Sequence, residues 1–104
     1  MKYRSLFLEL AEIDLHDVLD YLAGYSLQAA HNFLDNLDKR LSQICEFPKS
    51  CEVYRHNPAL RRAIIGNYLL FYEADEKAKV INIYRILHGS RNIETINLLS
   101  NIDN

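Results

Sequence analysis

RRAIIGNYLLFYEADEKAKVINIYRILHGSR, residues 61–91, decides how this chain is read. Two runs rich in β-branched and aromatic residues, Tyr68–Ala74 and Val80–Leu87, flank the charged segment Asp75–Lys79. That is the pattern of a β-hairpin. Gly66-Asn67 is a tight-turn dipeptide, so Leu60–Gly66 reads as a third strand ahead of the pair. Cations punctuate these strands. Arg61 and Arg62 open the first, Arg85 interrupts the last, and His88 and Arg91 follow it around Gly89. An arginine among isoleucines is costly to bury unless it meets an anion or a polar partner. The pattern suggests a sheet whose end or one face holds something negative.

Upstream, Lys2–Leu8 is a short strand candidate. The period then changes: Leu15, Val18, Leu19 and Leu22 form an apolar helical stripe, and Asp14, Asp17 and Asp20 read as the opposite, solvated face. Gly24 is placed to end this helix in the left-handed conformation, and Ser26 to cap the next. In the second helix Ala30, Phe33, Leu34, Leu37, Leu41 and Ile44 recur at helical steps until Pro48 stops it. So short a connection predicts an antiparallel helical hairpin. Lys49–Ala59 reads as a loop. The tail from 92 to 104 has weak periodicity and reads as a short helix, a strand, or a segment mobile until bound. The order is β-α-α-β-β-β, an α+β fold in a single domain spanning 1–104. A helical hairpin packs on one face of a twisted antiparallel sheet, the first strand pairs beside the later three, and the other face stays partly open.

With 104 residues the chain can bury a core without metal or disulfides. Cys45 and Cys51 are too few for a secreted disulfide framework and read as free thiols in a reducing compartment. No signal-peptide pattern or membrane-length apolar run occurs, so a cytoplasmic protein is expected. Charge is lopsided. Residues 1–52 carry five cations against nine acids, and residues 53–91 seven against three, balances of −4 and +4. An acidic helical half and a basic sheet half favour an anionic partner on the sheet side. A general nucleic-acid binder, basic throughout, is disfavoured. Asp14 and Asp17 lack the further ligands of a metal site, and no phosphate loop, dinucleotide fingerprint, nucleophile elbow or zinc motif occurs. No cofactor or metal is expected. His16, His31 and His56 lie in separate elements and receive no role.

The phrase LRRAIIGNYLLFYEAD followed by VINIYRILHGSRN, with HNFLDNLDKRLSQICEFP before it, resembles the RelE/ParE superfamily of bacterial type II toxin–antitoxin toxins. The LHGSR wording is closest to the ParE branch. The resemblance implies a small cytoplasmic toxin neutralised by a cognate antitoxin, acting either on DNA gyrase (ParE-like) or as a ribosome-dependent messenger endoribonuclease (RelE-like).

Metal-free RNA cleavage needs a base, cations for the transition state and an acid for the leaving oxygen. Arg62, Arg85 and His88 are the candidates here, with Tyr84 or Tyr72 as hydroxyl donors. Against that branch, the chain has a net charge of −2, which opposes docking on ribosomal RNA. Its end also lacks the late histidine or tyrosine that RelE-like members commonly carry. The gyrase-directed branch is therefore preferred, with Arg61, Arg62, Arg85, His88 and Arg91 as candidate partner contacts and no catalytic group. Each has a plainer reading. Arg85 pairs with Asp14 or Asp17, His88 is a hydrogen-bonded structural histidine, and Arg91 is a solvated charge. Arg61 and Arg62 alternate faces, so at most one lines any groove.

Overall fold

The computed structural model describes residues 2–90. Arg91 and the tail 92–104, with the expectations attached to them, lie outside those residues. The elements are β1 (Arg4–Phe7), α1 (Glu9–Ala23), α2 (Leu27–Glu46), β2 (Glu52–Val53), β3 (Arg61–Ile65), β4 (Tyr68–Asp75) and β5 (Val80–His88). They build a five-stranded sheet in the order β1-β5-β4-β3-β2. The expected α+β layout is present, with one correction, since the sheet is not wholly antiparallel, and one addition. β1 pairs with β5 in parallel, so the sheet is mixed, and the loop after α2 contributes the two-residue edge strand β2.

Local chemistry sets these boundaries. Ser26 has extended backbone and its hydroxyl accepts the Ala29 N–H at 3.0 Å, capping α2. Gly24 is not left-handed: its φ of −65° continues the helical geometry. The chain instead turns through Tyr25 and Ser26, whose N–H groups both reach the Leu22 carbonyl. Gly66 does need its freedom, at φ +60° in the turn joining β3 to β4. In the β4–β5 connection the Asp75 carboxylate accepts the N–H groups of Lys77 and Ala78, and Lys79 takes φ 59°.

The helices cover one face of the sheet. Ala11, Val18, Phe33, Leu37, Leu41 and Ile44 pack with Ala63, Ile65, Leu70, Tyr72, Ile81, Ile83 and Ile86. Leu15, Leu19 and Leu22 complete the α1 stripe, partly buried against this core. The second face, expected to be partly open, carries its own buried cluster of Tyr54, Leu60, Phe71, Tyr84 and Leu87. Tyr54, from the segment between β2 and β3, stands edge-on to Phe71 with ring centroids 5.0 Å apart.

A β-bulge divides the two faces differently from simple alternation. Phe71 pairs with Arg85 but Tyr72 pairs with Ile83, leaving Tyr84 as the extra residue of β5. Ile81 and Ile83 therefore belong to the helix-side core, whereas Tyr84 and Leu87 belong to the second cluster. Arg85 does not share one face with all of Ile81, Ile83 and Leu87.

The Gly66 turn yields a direct test. A Cβ built there meets nothing within 4 Å, so the penalty for alanine is conformational and not steric. Gly66→Ala is expected to lower unfolding free energy by about 1–2 kcal/mol, and Gly66→Asn by less, in urea denaturation.

Candidate functional site

Asp14 and Arg85 form the best-defined polar constellation. Strand β1 ends at Phe7, and Leu8 N–H makes the last bond of that ladder, to Ile83 O at 3.0 Å. Among the described residues, the edge of β5 beyond it has no strand partner. Helix α1 crosses there, and Asp14 Oδ2 accepts the Ile86 N–H at 3.0 Å in place of a strand carbonyl. The same carboxylate accepts two bonds from Arg85, Nε to Oδ2 at 2.7 Å and Nη2 to Oδ1 at 3.0 Å. Their side chains are only 10% and 13% exposed. Asp14 is thus not on a solvated helix face as the apolar stripe suggested. Arg85 takes the structural alternative, which leaves its guanidinium turned inward and not toward a partner.

Glu52, Arg62, Phe71 and Arg85 occupy one row across four strands, through their register partners. The two arginines are drawn apart along it. Arg62 pairs with Glu52 at the β2 edge, while Arg85 pairs with Asp14 at the α1 edge. Arg61 lies on the other face, beside Tyr72 in register. It donates from Nη1 to Cys51 O at 2.7 Å and to Lys49 O at 3.4 Å. The Tyr72 hydroxyl donates to Pro48 O at 2.8 Å. Together they pin the connection between α2 and β2. Burial pushes the Tyr72 hydroxyl far above its usual value, and the adjacent Cys51 adds to the shift. Cys45 and Cys51 are both free and buried.

His88 belongs to the helix side. Its register partner is Tyr68, whose ring it meets nearly perpendicularly at 5.2 Å. Nδ1 accepts the Ser90 N–H at 3.1 Å and lies 2.7 Å from the Ser90 hydroxyl. It borders a cleft of about 370 Å³ between α1 and the end of β5, lined also by Asp14, Asp17, Tyr21 and Tyr68. The structure therefore brings Arg62 and Arg85 onto one row, leaves His88 on the opposite face, and gives Arg61 a scaffolding contact. Among the described residues no group of His, Cys, Asp or Glu is disposed to hold a metal ion. No helix there is long and apolar enough to cross a membrane.

A family model described as the ParE toxin of type II toxin–antitoxin systems, parDE, matches residues 6–93. The chain belongs to the ParE toxin family. No curated protein matches the sequence. Among solved structures, this ParE-family fold is similar to the toxin–antitoxin complex RelBE2 from Mycobacterium tuberculosis. The match has TM-score 0.59 and 23% identity, covering 85% of this chain and 99% of that one. At that identity the likeness concerns the fold, and it places this ParE toxin within the wider RelE/ParE architecture expected from the sequence.

Two predictions follow from the buried pairings. Arg85→Ala leaves the Asp14 carboxylate buried without its counter-ion and should lower unfolding free energy by about 3–5 kcal/mol. The double change Asp14→Leu with Arg85→Met should recover part of that loss in urea denaturation, since no lone charge remains. The second concerns alkali. Tyr72 stays neutral to higher pH in the folded chain than in the unfolded one. The stability it contributes is complete below the ordinary tyrosine value of about 10 and is lost as pH rises toward the folded value. Tyr72→Phe should flatten this alkaline decline in thermal melts, while losing about 1 kcal/mol at neutral pH with the Pro48 hydrogen bond.

Proposed function

We propose that this ParE-family chain acts on DNA gyrase through protein contacts, performs no chemistry itself, and is neutralised by a cognate antitoxin. The row that an RNA-cleaving site would draw on supports this reading. Arg85 is held by Asp14 in a nearly dry site at the α1 edge, and Arg62 stands apart from it, paired with the exposed Glu52 at the β2 edge. A phosphate passing toward a transition state needs cations already aimed at it, and here Asp14 occupies Arg85. His88, the candidate proton carrier, sits on the other face beside Tyr68. Net charge of −2 argues the same way against docking on ribosomal RNA.

An antitoxin partner fits the exposed apolar side chains at the helical turn, Tyr21, Tyr25 and Leu27, the last two more than 70% exposed. Apolar side chains gathered in this way suit a partner segment that orders on binding. The solved relative RelBE2 was itself obtained as a toxin–antitoxin complex.

The alternative is a ribosome-dependent endoribonuclease using Arg62, Arg85 and His88. It draws on the shared row of the two arginines, and it requires the buried Asp14–Arg85 pair to open. Titrating the purified protein into a gyrase supercoiling reaction distinguishes the two. Supercoiling should fall with added protein while ribosome-bound messages stay intact. Unimpaired supercoiling at micromolar protein, with codon-specific cuts that vanish in Arg62→Ala, would overturn the proposal.

A further inference from the structure

Two arginines share a concave place at the far edge of the sheet from the Asp14–Arg85 pair. A cleft of about 470 Å³ between β2 and the following turn is lined by Glu52, Val53, Tyr54, Arg55, His56 and Arg62. Arg55 and Arg62 share this lining with one carboxylate, Glu52, among the described residues. The floor is rigid. Tyr54 is buried against Phe71, and the His56 ring lies 5.3 Å from the Tyr54 ring. The turn is closed by Asn57 N–H donating to Tyr54 O at 3.1 Å.

We propose that this cleft binds a carboxylate-bearing peptide, an extended Asp- or Glu-containing segment of a protein partner laid along the β2 edge. The structure already contains a carboxylate in such a place, because Glu52 pairs with Arg62. That pair is a replaceable one. The Glu52 side chain is 66% exposed, and exposed ion pairs contribute only about 0–1 kcal/mol. An incoming carboxylate can therefore share or displace Glu52 at small cost, with Arg55 available from the cleft wall. Among the described residues β2 is the last strand of the sheet and Val53 on it is exposed, an edge suited to pairing with an extended main chain.

Charge favours a short acidic peptide over nucleic acid. A strand of phosphates would meet the acidic helical half as well, whereas one or two carboxylates are felt only within about 8–10 Å in salt. This inference deepens the protein-contact reading by naming a partner's chemistry. It rests on the cleft and not on the identity of the target.

The test is an amide chemical-shift titration of the full ¹⁵N-labelled chain. The probes are a synthetic extended peptide carrying Asp-Glu between apolar residues, the same peptide with Asn-Gln, and a single-stranded oligothymidylate. The acidic peptide should shift the amides of residues 52–57 and 62 and saturate. The Asn-Gln peptide should bind about tenfold more weakly, and so should the acidic peptide to Arg55→Glu. Glu52→Gln removes the internal competitor and should tighten acidic-peptide binding about threefold, a gain that a purely structural Glu52–Arg62 pair would not give. An absence of shifts at residues 52–57, equal binding of the two peptides, or a stronger response to the oligonucleotide at physiological salt overturns the proposal. Because gyrase is absent from this experiment, its failure is separable from failure in the supercoiling assay.

Discussion

A single carboxylate settles how helices and sheet meet in this protein. β5 is longer than the β1 strand that should shield it, and an unshielded strand edge invites pairing with other chains. Asp14 closes the gap by accepting the Ile86 N–H and two guanidinium bonds from Arg85. A carboxylate taking three donors in a nearly dry site is satisfied only when all three are in place. The consequence is geometric. Helix α1 must cross β5 at that height, with Ala11 and Val18, one turn to either side of Asp14, turned into the core. The bulge at Tyr84 belongs to the same arrangement, since it gives Arg85 its place opposite Phe71.

Seen from that pair, the charge asymmetry along the chain acquires a different meaning. The acidic helical half and the basic sheet half are complementary layers of one fold as well as a polarised surface. Asp14 of α1 meets Arg85 of β5 across the two layers, whereas Glu52 meets Arg62 within the sheet and Lys49 meets Glu76 against that trend, at the loop joining β4 to β5. Only the first of these is buried enough to constrain the fold strongly. The other two are exposed and contribute little to stability, which leaves their cations available to exchange partners.

Much of this was legible in the sequence because local signals and tertiary needs agreed. The α2 stripe from Phe33 to Ile44, the Ser26 cap, the Gly66-Asn67 turn and the three late strands all rest on periodicity or on turn chemistry that acts within a few residues. The misreadings share a cause too. Asp14 has the composition of a solvated helix position, and only a partner 71 residues away makes it a core residue. Alternation along β5 fails at Tyr84, since a bulge leaves no mark in a run of apolar residues. Gly24 lost its expected left-handed conformation because Tyr25 and Ser26 reverse the chain instead. The parallel pairing of β1 is likewise a matter of topology, invisible in RSLF itself.

The candidate site was less legible than the fold, and the reason is where the rigid framework ends. Cations inside strands stand out in a sequence, but a strand cation in a small sheet lies close to acids on neighbouring elements and is readily neutralised by them. Arg55 and His56 stand in a stretch that reads only as a loop of mixed polarity, and nothing in its wording sets them apart. What raises them is the scaffold on either side. Tyr54 is seated on Phe71 and its N–H donates to Leu60 O at 2.9 Å, so the turn carrying Arg55 and His56 is closed across its base. A loop held this firmly presents its side chains with little entropy left to lose on binding. The strands supply that rigidity, and the proposed peptide site draws on it.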